Sequence, residues 1–400
     1  PNIQCKEVHI MKKSAVILIA VTVILLLINL IPGGKIAGND TYYRDLEYLS
    51  LYNAGGNSIG VTAKDGGAIL NTNHAMLKLL SLFCFPAASG YILTAVYLII
   101  LITAFCLILK SAKNYEIYAA AAFVLFLFTK ERFMYLCTIL PQGGMFAFFT
   151  LTAGLMLYIF TKKDYKNYLP VIAAVSALIF ACYDNVTALC AVVFGILLAY
   201  SAYIGEKKYV NIACGAAVVV LSFVFAFSYK GVTYIENVES GMANGISAYS
   251  DGTAVQTYSG LAAFYKNHPA AFADHMQKVT DNAFYNPPET PFSLWGFVKS
   301  KVMPVKLAIF AALFAIIIAF LIINGKKNKA YFAAPIGGAF VISLISMIAT
   351  GIIYGISELN IRLFGFNLAF DFGFGALVVY IIYIAASRDK GLKEKYGITQ

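Results

Sequence analysis

Charge is what this sequence has least of. Asp, Glu, Lys and Arg make up 12% of its 400 residues, where a soluble domain carries roughly a quarter. With 60% hydrophobic residues and a mean hydropathy of +0.75, no water-soluble fold has enough polar surface to cover the apolar remainder. Recognisable catalytic motifs are missing too. The chain has no GxxxxGK[ST] phosphate loop, no GxGxxG after a strand and no HExxH, so ATP-driven transport, Rossmann-type nucleotide-sugar chemistry and zinc hydrolysis are unsupported. The seven cysteines include no CxxC pair, which removes zinc and dithiol redox sites and leaves them as small hydrophobes. The formal charge of +10 does not point to nucleic acid, because Lys and Arg punctuate apolar runs instead of lining one stripe.

What is present is a series of apolar runs long enough for a bilayer core. They lie at 14–31, 90–109, 115–130, 138–160, 167–182, 184–204, 209–228, 305–323, 331–354 and 364–386. This predicts an all-α membrane protein, one polytopic domain over 1–400 with about ten transmembrane helices. The runs at 115–130 and 167–182 are short, so either one tilts little, thins the bilayer or is partly re-entrant. Residues 1–10 read as a leader before a Met11-Lys12-Lys13 start. The first run is longer than a signal peptide's apolar region and lacks its cleavage site, so it reads as a retained helix.

Orientation follows the lysines. Lys12 and Lys13, Lys110 and Lys113, Lys162, Lys163 and Lys166, Lys207 and Lys208, Lys326, Lys327 and Lys329, and the basic residues from Arg388 to Lys395 all fall on alternate turns. The positive-inside rule then puts both termini in the cytoplasm of a cell-membrane protein. Two long loops, 32–89 and 229–304, face outward. The first includes a short apolar stretch, 74–89, ended by Pro86 and read as an interfacial helix. In the second, Leu261, Phe264, Tyr265, Phe272 and Met276 have helical spacing around Pro269, predicting two short helices along the membrane surface.

Ionisable groups near apolar runs are expensive and mark candidate sites. In GNDTYYRDLEYL (38–49), Asp40 and Arg44 are four apart. That spacing suits a base beside a guanidinium, and equally an interfacial helix with a surface ion pair. TKERF (129–133) brings Lys130, Glu131 and Arg132 to the end of a span, as an anchor or as a site lining. In SELNIRLFGFNLAFDFGF (357–374), Glu358 and Arg362 are four apart, as are Asn367 and Asp371. Asp371 sits about two turns deep, where a carboxylate needs a partner or a proton. Tyr183-Asp184-Asn185 reads as a tight turn.

The order of elements, together with NDTYYR (39–44), FYKNHPAAF (264–272), NAFY (282–285) and ELNIRLFGFNLAFD (358–371), resembles the GT-C superfamily of multi-spanning glycosyltransferases. More narrowly, it is similar to bacterial hexosyltransferases of S-layer and cell-surface glycan synthesis. The resemblance implies an extracytoplasmic, inverting transfer of a hexose from a polyprenyl-phosphate donor to a cell-surface glycan or lipid-linked acceptor. It makes Asp40 the general base by analogy with the superfamily's first-loop carboxylate. Arg44, Arg132 and Arg362 would hold the donor phosphate, and His268, Trp295 and Glu358 would position acceptor or sugar. No metal or cofactor is called for, and the partners are the donor, the acceptor and the bilayer, with no nucleic acid. Two stretches depart from the family: Gly144 stands where an acidic residue is usual, and CYDNVTAL (182–189) replaces a Lys-Gln stretch. The alternative function is a lipid-linked glycan flippase or polymerase, or a secondary transporter. A transporter would set its polar site at the midplane between broken helices.

Overall fold

A computed structural model describes residues 16–24, 61–62, 68–69, 86–137, 141–162, 165–228, 258–284, 295, 298–299, 307–328, 331–354 and 359–395. The described chain is helical except for one two-residue antiparallel pairing in the first loop, Val61–Thr62 (β1) with Ala68–Ile69 (β2). The long helices are α2 (Pro86–Ala112), α5 (Gln142–Thr161), α7 (Asn185–Tyr200), α8 (Lys208–Ser228), α11 (Leu307–Asn328), α12 (Ala333–Tyr354) and α14 (Phe364–Lys395). All seven, α7 with its continuation to Tyr203, are long and apolar enough to cross a membrane. Between them come α3 (Glu116–Leu127), the single turn and a half of α4 (Lys130–Tyr135), α6 (Tyr168–Ala181), the loop pair α9 (Tyr258–Asn267) and α10 (Pro269–Ala283), and α13 (Leu359–Arg362). A further helical stretch, α1, covers 16–24.

Every apolar run with described residues is therefore helical, and the chain is a multi-pass helical membrane protein. Two runs expected as spans are the short ones. α3 has 12 residues and α6 has 14, about 18 and 21 Å at 1.5 Å per residue, less than a hydrocarbon core of about 30 Å. Pro86 differs from its expected role. It opens α2, where its missing N–H costs nothing, and residues 74–85 lie outside the described residues.

Short connections make successive long helices antiparallel neighbours: α5 packs on α6, α6 on α7 and α7 on α8, while α12 meets α7, α11 and α14, and α14 meets α3. Burial sorts them into centre and rim. In α5, 89% of the apolar stretch is buried, against 28% in α8 and 17% in α11. Val220 and Val224 on α8 and Ile309 and Ile316 on α11 consequently point outward, into what is lipid in a membrane. The α7–α8 crossing depends on small residues. A Cβ on Gly195 would lie 2.9 Å from the Gly215 carbonyl, and one on Gly215 would lie 2.6 Å from the Gly195 carbonyl. Apolar side chains gain little by leaving lipid for a helix interface, so close backbone approach of this kind supplies the association. Between α5 and α6, Thr152 and Ser176 hydrogen-bond at 2.7 Å.

The up-and-down course gives the bundle two ends. Lys110, Lys162, Lys166, Lys207 and Lys208 lie at one, the lysine end. At the other, α10 packs on α11, α12 and α13. Its buried residues Ala271, His275, Met276, Val279, Thr280 and Ala283 share one face, and Asp274 and Lys278 form an exposed i,i+4 pair at 3.1 Å on the other. The two expected loop helices are present, broken at His268 just before Pro269. Proline cannot donate into a continuing helix but suits the first turn of a new one. This is the capped end.

Candidate functional site

The capped end holds a buried ionic cluster, built from local features that can be followed along the chain. α3 stops at Phe128, and Thr129 caps α4, its hydroxyl accepting from the Arg132 backbone N–H at 3.3 Å. The reversal swings Arg132 back over α3. Its Nη1 donates to the Phe126 and Leu127 carbonyls at 3.0 and 3.1 Å, which are helix-end acceptors that attract a cation. Nη2 donates to the Asn367 carbonyl at 3.2 Å and to Asp371 Oδ2. Asp371 is 1% exposed. It also accepts from Trp295 Nε1 at 2.6 Å and, through both oxygens, from Lys299 Nζ at 2.9 Å.

Asn367 lies one turn before Asp371 and extends the cluster. Its side-chain oxygen accepts from Lys299 Nζ at 2.8 Å, and its amide donates to the carbonyl of Ala283, the last residue of α10, at 2.8 Å. The Trp295 indole stacks on Phe374 and meets Phe126 edge-on, with centroids 4.9 and 4.7 Å away. The carboxyl expected to need a partner or a proton is thus paired with two cations and an indole, which fill the acceptor positions a carboxylate offers. One polar knot fastens α3, α4, α10, α14, Trp295 and Lys299 together. Burial pulls the Lys299 ammonium below its ordinary value despite Asp371. Burial likewise raises the Glu131 carboxyl, against the attraction of Arg132 and Lys299.

A second polar group stands at the same end. Asp184 caps α7 in a reciprocal capping box, accepting from the Thr187 N–H at 2.6 Å while its own N–H donates to Thr187 Oγ1 at 2.9 Å. Such a cap contributes about 1 kcal/mol. The turn expected at 183–185 is this cap. Burial raises the Asp184 carboxyl, opposed by the Thr187 bonds and by the charge of Arg362. Arg362, at the end of α13, is half-buried. Beside them the Tyr183 and Tyr97 hydroxyls are 3.3 Å apart. Any side chain added at Gly144 would run into the Tyr183 ring, so the space beside this glycine is filled by a phenol.

Of the residues singled out in the sequence, Arg132 and Trp295 meet across Asp371. Arg362 stands apart, near Asp184. His268 is exposed at the start of α10, its ring 4.7 Å from Phe264. Asp40, Arg44 and Glu358 lie outside the described residues. Lys299 and His275 escaped sequence reasoning. Lys299 follows Trp295 by four, the same spacing as Asn367 and Asp371, and that paired i,i+4 pattern was its one signal. His275 Nδ1 lies 2.7 Å from the Tyr265 hydroxyl. Burial pushes that phenol up to about 12, so it keeps its proton. Among the described residues no group of three or more His, Cys, Asp or Glu is placed to hold a metal ion.

Comparison with family models, with curated proteins and with solved structures found no match.

Proposed function

We propose that the chain is an extracytoplasmic membrane glycosyltransferase that takes a hexose from a polyprenyl-phosphate donor and passes it to a cell-surface glycan or lipid-linked acceptor. The observation that carries this reading is the asymmetry of the bundle. Among the described residues Arg132, Lys299 and Asp371, three of the four buried charged residues besides His275, sit at the capped end, with Asp184 and Arg362 at the same level and both long loops attached there. By the positive-inside rule that end faces outward and the termini inward. A lipid phosphate travels at this depth, so a site reading a membrane-borne donor belongs here and not at the midplane, where a transporter would place it.

In this reading the acceptor hydroxyl attacks the anomeric carbon, its proton passes to Asp40, and the sugar–phosphate bond breaks as polyprenyl phosphate leaves with inversion. Arg362, with Arg44, holds the leaving phosphate through charge-assisted hydrogen bonds. Arg132 is already engaged by Asp371 and three carbonyls, so its part is to fix the loop segments. His268 and Glu358 are left to position the acceptor, and Trp295 acts from within the cluster. The test is transfer of labelled hexose from polyprenyl-phosphate hexose by membranes holding the chain. Asp40→Asn is expected to abolish transfer with expression unchanged, and Arg362→Ala to weaken donor use. Transfer at the normal rate by Asp40→Asn overturns the base assignment; no transfer by the unsubstituted chain with any such donor overturns the function.

A further inference from the structure

The lysine end carries a cavity that the glycosyl-transfer reading does not use. α2 and α5 pack side by side and end at one level. Lys110 lies in the last turn of α2, and Lys162 directly follows α5. Both line a cavity of about 620 Å³ together with Val16, Cys106, Leu109, Asn114, Glu116 and Tyr158, within the range of small-ligand sites. Lysines at helix C-termini are favoured by the exposed carbonyls, which accounts for their presence but not for two of them bordering one cavity. Neither forms an ion pair among the described residues. Against these two lysines the lining has one carboxylate, the buried Glu116, so it keeps a net positive formal charge.

Each helix presents the same vertical order. Cys106 stands one turn inside Lys110 on α2, and Tyr158 one turn inside Lys162 on α5, so each pair shares a helix face. Cys106 is exposed on the bundle surface. Lys110 and Lys162 stand at the helix ends, while Cys106, Leu109 and Val16 give the same lining an apolar part. A ligand matching both parts has an anionic head and a hydrocarbon body. We propose that this cavity binds the phosphate head of an anionic membrane lipid, with Lys110 and Lys162 on the phosphate and the first acyl segment against Cys106, Leu109 and Val16. The proposal depends on the membrane-protein fold and not on the glycosyl-transfer reading.

The test uses the full chain in detergent, with bound lipid counted by native mass spectrometry. Phosphatidylglycerol, phosphatidylcholine and water-soluble glycerol 1-phosphate are the probes. Phosphatidylglycerol is expected to be retained over phosphatidylcholine by on the order of ten- to thirty-fold, the effect of two lysines near a lipid surface. The double variant Lys110→Gln/Lys162→Gln should lose that preference with unchanged elution and helix content. Lys207→Gln/Lys208→Gln, at the same end but outside the cavity, should keep it. Glycerol 1-phosphate that displaces phosphatidylglycerol at equal concentration supports the phosphate site and assigns it to soluble phosphate esters; failure to displace assigns it to lipid. Equal retention of the two lipids, a preference that survives Lys110→Gln/Lys162→Gln, or one lost equally in Lys207→Gln/Lys208→Gln overturns the proposal.

Discussion

The two ends of the bundle handle charge in opposite ways. At the capped end Arg132, Lys299 and Asp371 are 4%, 6% and 1% exposed and bonded to one another. At the lysine end Lys110 is exposed and, like Lys162, borders open space. Taking a charge out of water costs several kcal/mol unless partners replace the water, so the first arrangement depends on a carboxylate between its cations. The second needs no partner and stays available to a ligand. A buried, saturated charge therefore reads as a fastening, and an unpaired charge on a cavity as a binding group.

The sharpest way to break this comparison is Asp371→Ala. It leaves two buried cations facing each other without a carboxylate and is expected to cost about 3–5 kcal/mol, read as a lower melting temperature and loss of monodisperse protein in detergent. Lys299→Met is expected to cost about 1 kcal/mol, because Asp371 keeps Arg132 and Trp295 and the net charge still balances. A cost as large as that of Asp371→Ala would mean that the second cation is indispensable to the knot.

Glu131 tests the same end through pH. Its carboxyl titrates above the ordinary 4.5, so the folded state binds the proton more tightly than the unfolded one. Stability from this group is full below 4.5 and falls as pH rises through the folded value. Melting curves from pH 4.5 toward neutral should show that slope in the native chain and a flatter one in Glu131→Gln. Lys299 acts in the opposite sense. Its lowered value makes the unfolded state the better proton binder, so its contribution rises as pH climbs toward 10.5.

At the lysine end, Lys110→Gln/Lys162→Gln is expected to change stability by no more than about 0.5 kcal/mol in lipid-free detergent. The smallest effect belongs to Lys278→Ala, whose exposed pair with Asp274 contributes about 0.3 kcal/mol. A loss there comparable to that of Lys299→Met would erase the distinction between buried and exposed charge.

Much of the architecture was legible because a bilayer imposes a length rule on apolar runs. α2, α5, α7, α8, α11, α12 and α14 each fall on such a run, and Pro269 marked the break between α9 and α10. The site was legible in part. Tyr183-Asp184-Asn185 was legible as a turn, which the fold makes the cap of α7, and Asn367 with Asp371 signalled a polar helix face. The partners on that face were not legible, since Lys299 lies 72 residues from Asp371 and Arg132 lies 239 away. Nor could sequence tell that Arg132 and Trp295 would be enclosed together while His268 stayed exposed.

The sequence by itself determined that the chain is helical, apolar and multi-pass, and which turns carry the lysines, because these follow from local composition and the thickness of a membrane. Tertiary structure decided which charges neutralise each other, that Tyr183 occupies the space beside Gly144, and that Lys110 and Lys162 share a cavity. Those outcomes depend on contacts between distant segments, and such contacts exist only once the helices have packed.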